Sequence, residues 1–176
     1  MMNKNVMYRF AVVTALIFLA AAARLVPHWP NFTPVAAMAL FGGAFFGRKI
    51  WAFVVPFAAM FVSDLILGFH GYMIAVYAGF AVTVLIGWTI ANNQNLLRVG
   101  VASLSSSVLF FIITNFAVWY GSPFYAQDMG GLMNCFTLAI PFFGYSVGGD
   151  LFYTAILFGM FMFAQSRIPS LAAARA

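Results

Sequence analysis

The chain reads as an all-α integral membrane protein, a six-transmembrane-helix bundle, and three observations carry that reading. Apolar residues make up 65% of the 176 positions and charged residues 6%, against about 45–50% and about 25% in soluble domains. Eight Lys/Arg and three Asp are too few to coat a water-soluble body of this size, which excludes a soluble enzyme and a disordered chain. The apolar runs are continuous rather than alternating, so they are helices and not the strands of a barrel. The basic residues stand singly or in pairs at the ends of those runs, as membrane topology requires. A nucleic-acid groove would instead cluster them on one face.

A bilayer core about 30 Å thick needs roughly 20 apolar residues per helix. Runs of that kind predict spans at about 8–23, 34–46, 51–68, 72–91 and 99–120. The apolar stretch from Met129 to Ala164 is too long for one span and is punctuated by Pro141, Gly144, Gly148 and Gly149. Because proline removes a backbone donor and glycine loosens a helix, it is read as two pieces. These are a short interfacial helix, Gly131–Ile140, and a sixth span at about 144–164.

Six spans place Lys4, Arg9, Arg48, Lys49, Arg98, Arg167 and Arg175 on one side and Arg24 alone on the other. By the positive-inside rule both termini are expected on the cytoplasmic side of the membrane. The run ending Ala20-Ala21-Ala22-Ala23 also resembles a cleavable secretory signal; the charge pattern favours retention of the first helix.

Ionisable groups inside spans are costly, so each needs a partner or a role. Asp64 lies near the outer end of the third span, Asn115 and Trp119 in the outer part of the fifth, and Asp150 at the outer entrance of the sixth. Arg24, His28, Asn31 and His70 occupy the outer loops. These eight residues are the candidate ligand-binding set, with Trp119 as a stacking surface, and the inner half of the bundle is expected to be dry. Structural readings stand beside this one: Asp64 pairs with Arg24, Asp150 caps the sixth helix, His70 shapes a turn and Asn115 bridges helices. Aromatic residues near the outer face suit a planar heterocyclic ligand. Small residues at four-residue spacing, Ala39, Gly43 and Gly47 in the second span and Ala11 and Ala15 in the first, suit close helix contacts.

The single cysteine, Cys135, excludes an internal disulfide or a cysteine-cluster metal site. There is no phosphate-binding Gly-rich loop and no ligand spacing for a metal. No catalytic residue, cofactor or metal is therefore assigned, and no enzymatic activity is expected.

Arg24-Leu25-Val26-Pro27-His28-Trp29-Pro30-Asn31-Phe32-Thr33-Pro34-Val35-Ala36-Ala37, followed by Ala39-Leu40-Phe41-Gly42-Gly43-Ala44, resembles the signature of a family of small uncharacterised bacterial membrane proteins. Ser63-Asp64-Leu65, Gly68-Phe69-His70, Thr114-Asn115-Phe116-Ala117-Val118-Trp119, Pro141-Phe142-Phe143 and Gly149-Asp150-Leu151 extend the likeness along nearly the whole chain. That family is in turn similar to the substrate-binding S components of energy-coupling-factor vitamin transporters. The resemblance implies six helices and an outward pocket built from the first, third and fifth loops. It also implies that Ala11 and Ala15 dock against a transmembrane coupling subunit carrying two ATPases. The expected function is uptake of a small vitamin-like solute, energised by partner subunits, with lipid and solute as the other partners and no nucleic acid. A stand-alone secondary transporter is the alternative, and a membrane enzyme or structural subunit a third.

Overall fold

The computed structural model describes residues 4–172, all helical apart from turns and loops. Its elements are α1 (Lys4–Ala23), α2 (Val35–Phe46), α3 (Trp51–Leu67), α4 (Met73–Thr89), α5 (Leu96–Gly121), α6 (Met129–Arg167) and the short α7 (Pro169–Ala172). Arg175, one of the residues in the charge asymmetry, lies outside the described residues.

Contacts at the two ends of the bundle show that the first six helices alternate in direction. At one end the Arg9 guanidinium, early in α1, lies over the rings of Phe45 and Phe161, late in α2 and α6. Phe10 meets Trp51 at the start of α3, and Gln94, just before α5, donates to the Ala44 carbonyl at 3.1 Å. At the other end Arg24 reaches Asp64 at the close of α3, and Asp64 accepts from Tyr77 near the start of α4.

Helix α2 is the centre. All 12 of its residues are buried, and it touches α1, α3, α4, α5 and α6. An all-apolar helix has no wet side, so it can only be an interior element. Glycine permits its closest approach: a Cβ on Gly43 would stand 2.2 Å from the Val84 carbonyl oxygen, and one on Gly87 2.5 Å from that of Leu40. Two backbones meet there with no side chain between them. Ala39 of the expected ladder is also buried, whereas Gly47 ends the helix at φ +61 with open space around it.

Helix α6 corrects the expected break. It runs unbroken for 39 residues through Pro141, so no separate interfacial helix exists at Gly131–Ile140. Proline withholds one amide, the one that would have bonded Thr137, and leaves the rest of the ladder intact. Phe136 and Phe143, on either side of Pro141, both pack on Phe111 of α5, at 5.6 and 4.7 Å between ring centroids. Gly149 is a seat rather than a breaker, since a Cβ there would meet the backbone of Phe32 and Thr33 at 3.0 Å. Asp150 accordingly does not cap this helix. Asp128 does, its Oδ1 accepting from the Gly131 amide at 2.8 Å.

Helices α1, α5 and α6 are long and apolar enough to cross a membrane, while α2, α3 and α4 are apolar but shorter.

Candidate functional site

A cavity of about 250 Å³ opens between α5, α6 and the first long loop. It forms because both helices carry polar or small residues at four-residue spacing along the faces they turn to each other. On α6 these are Ser146, Asp150 and Thr154; on α5 they are Ser103, Ser107 and, two turns on, Thr114 and Asn115. The first loop closes one side, its Phe32 packed against Phe152 and Tyr153 of α6. Asn31 takes a left-handed backbone, φ 63, which asparagine tolerates, and lines the cavity together with Asn115 and Asp150. The apolar wall is made by Phe110, Phe111, Phe142 and Phe143, with Val118 and Ala139.

Asp150 is the cavity's one ionisable side chain. It is 7% exposed and accepts a 2.7 Å hydrogen bond from Ser107. Among the described residues no cation pairs with it. Below it the polar seam continues: Ser107 also donates to the Ser103 carbonyl at 3.1 Å, and the Ser103 hydroxyl lies 3.3 Å from that of Thr154. Ser103, Ser106, Ser107, Thr83 and Thr154 are all at most 3% exposed. The inner part of the bundle is therefore not dry, contrary to the sequence expectation. Serine and threonine escape notice inside apolar helices because their hydroxyls can bond the carbonyl one turn back.

Asp150 is also deeper than its place in the sequence implied. Its partner Ser107 is the twelfth residue of the 26-residue α5, close to mid-length.

Arg24 and Asp64 lie outside the cavity lining. Arg24 Nη2 is 2.8 Å from Asp64 Oδ1, Tyr77 donates to Asp64 Oδ2 at 2.8 Å, and Arg24 Nη1 donates to Ser63 Oγ and to Met60. The result is a closed knot joining the end of α1 to α3 and α4.

His28 and His70 are exposed and lie away from the cavity; His28 Nδ1 sits 3.0 Å from the Trp29 carbonyl. Trp119 secures the α5–α6 loop, donating to the Ala126 carbonyl at 2.9 Å, while Gln127 donates to the Trp119 carbonyl at 2.8 Å. Ala11 and Ala15 are exposed on the outer face of α1. Among the described residues no three of His, Cys, Asp and Glu come together as a metal site would need.

No curated protein and no solved structure matches the chain. A family model described as "Family of unknown function (DUF6580)" matches residues 4–171, and the chain belongs to that family.

Proposed function

We propose that this is a multi-pass protein of the bacterial inner membrane that takes up a small vitamin-like or heterocyclic solute through the cavity between α5 and α6. The observation that carries the reading is the convergence of Asn31, Asn115 and Asp150 on one hollow walled by four phenylalanines. An apolar cleft with a few convergent polar groups is the usual form of a small-molecule site. Bilayer placement is supported by large side chains exposed around the bundle, among them Leu19 at 66%, Ile66 at 66%, Ile74 at 88% and Phe163 at 63%. Side chains of this kind, exposed in such number, are covered by lipid rather than water.

In this reading the six main helices all lie within the bilayer, the short α2 enclosed by the others, with both termini cytoplasmic, and Ala11 and Ala15 present a small-residue face to a transmembrane coupling subunit that energises uptake. Asn31, Asn115 and Asp150 anchor the solute, whereas Arg24 and Asp64 hold the outer end of the bundle together.

Mass spectrometry of small molecules copurifying with the full chain tests the proposal. A solute retained by the wild type and lost from Ala139→Phe, which fills the cavity, is the expected result. Equal retention by that variant overturns the assignment.

The second reading, a carrier that works alone, is favoured by one feature: the seam Ser107–Asp150–Ser103–Thr154 extends polar groups inward from mid-bundle. A secondary transporter needs an acid deep in the membrane and a path beyond it. Uptake into liposomes holding this chain alone supports it.

A further inference from the structure

The hydroxyl protons around the cavity are already committed. The Thr114 hydroxyl donates to the Phe110 carbonyl at 2.8 Å, the Ser146 hydroxyl to that of Phe142 at 3.3 Å, and the Asn115 amide nitrogen to that of Phe111 at 2.8 Å. Ser107 shares its one hydroxyl proton between Asp150 and the Ser103 carbonyl. The three hydroxyl protons are thus turned back into the helices, while the Asn115 amide keeps a second N–H. What the hydroxyls leave for the hollow are lone pairs, beside the Asp150 carboxyl and the amides of Asn31 and Asn115, which offer both donors and acceptors. No Lys, Arg or His lines the cavity, and the guanidinium at the outer end of the bundle, Arg24, is held by Asp64. The apolar wall is Val118, Ala139 and four phenylalanine rings, and the faces of such rings carry negative charge density.

From this arrangement we infer that the solute is a small organic cation, an amine or protonated nitrogen heterocycle of about one ring, held by Asp150 with its charge against the phenylalanine faces. The inference rests on the solute-binding reading above and names the chemistry of that solute. A carboxyl buried without a countercharge is costly to ionise, and a cationic ligand supplies the countercharge that the protein withholds. Aromatic faces attract ammonium groups by a further increment that grows with desolvation. Size agrees, because a hollow of about 150 Å³ accommodates benzene and this one measures about 250 Å³.

Two probes of nearly equal shape, benzylammonium and benzyl alcohol, separate charge from fit. Calorimetric titration of the full chain in detergent at neutral pH is expected to show benzylammonium binding on the order of tenfold more tightly. Asp150→Asn removes that preference, and Ser105→Ala, on the exposed side of the same helix as Ser107, retains it. Partitioning of each probe into micelles is measured in protein-free detergent and subtracted. Equal affinity for both probes in the wild type, or an unchanged preference in Asp150→Asn, overturns the cation assignment and leaves the solute site standing. Binding of neither probe overturns the solute site as well. Should Asp150→Asn not fold, the wild-type ratio alone decides.

Discussion

Ser107 of α5 donates its hydroxyl to Asp150 of α6 at 2.7 Å, and both side chains are buried. This bond lies between two helices that otherwise meet largely through aromatic and small residues, so it fixes their register as well as the floor of the cavity. Removing the donor leaves a buried acceptor unsatisfied, which costs about 1–3 kcal/mol. Ser107→Ala is expected to lower thermal stability in detergent by that amount. Ser105→Ala, on the exposed side of the same helix, is expected to change it by less than about 0.5 kcal/mol.

The Arg24–Asp64 pair makes a different prediction. Both side chains are largely buried, at 11% and 6% exposure, so Asp64→Ala strands a guanidinium among Met60, Ser63 and Tyr77. Breaking such a pair costs about 3–5 kcal/mol. The expected outcome is a marked fall in melting temperature, with solute affinity of the folded fraction unchanged within twofold. Replacing both partners, as in Arg24→Met with Asp64→Leu, restores most of the stability because no charge is left unpaired. A loss of binding at full stability would return Asp64 to the ligand site.

The contact between α2 and α4 tolerates no side chain at its crossing. Gly43→Ala drives a methyl into the Val84 carbonyl, and Gly87→Ala does the same to Leu40. Each is expected to prevent folding or to cost more than about 3 kcal/mol, since overpacking of a backbone contact has no rotamer through which to relax. Gly159→Ala in α6, where a Cβ meets open space, is expected to stabilise by up to about 1 kcal/mol through helix propensity. Melting temperatures of the three variants check both signs.

Asp128 caps the longest helix, so Asp128→Ala is expected to cost about 1 kcal/mol. Asp128→Asn and Asp128→Ser, which also accept from the Gly131 amide, retain most of it. Thermal denaturation of the three variants provides the comparison.

Helix positions were readable wherever an apolar run ended in polar residues, and the observed ends of α1, α3, α4 and α5 fall within a few residues of those expected. Reading failed in α6, because Pro141 and Gly149 look like breakers one residue at a time. Only tertiary packing, aromatic rings at Phe111 and the first loop at Gly149, shows the helix passing through.

The same limit applies to the site. Asn31, Asn115 and Asp150 were identified as costly polar groups on the outer side, and the fold brings those three to one cavity. Arg24 and Asp64 carry the same signal, and in sequence a pair that satisfies itself looks like a pair awaiting a ligand. Ser103, Ser107 and Ser146 give no signal taken singly, because a hydroxyl in an apolar helix can bond the carbonyl one turn back. Their four-residue spacing in register with Asp150 and Thr154 was the available clue.

The enclosure of α2 also bears on the order of assembly. Twelve residues rise about 18 Å, well short of a roughly 30 Å hydrocarbon layer, so α2 makes a poor free-standing insertion unit. Its Gly43 notch stays unfilled until Gly87 has been synthesised 44 residues downstream. A nascent chain cut off ahead of α4 would hold its most apolar helix against α1 and α3 alone, without the Val84–Gly87 surface that closes over Gly43.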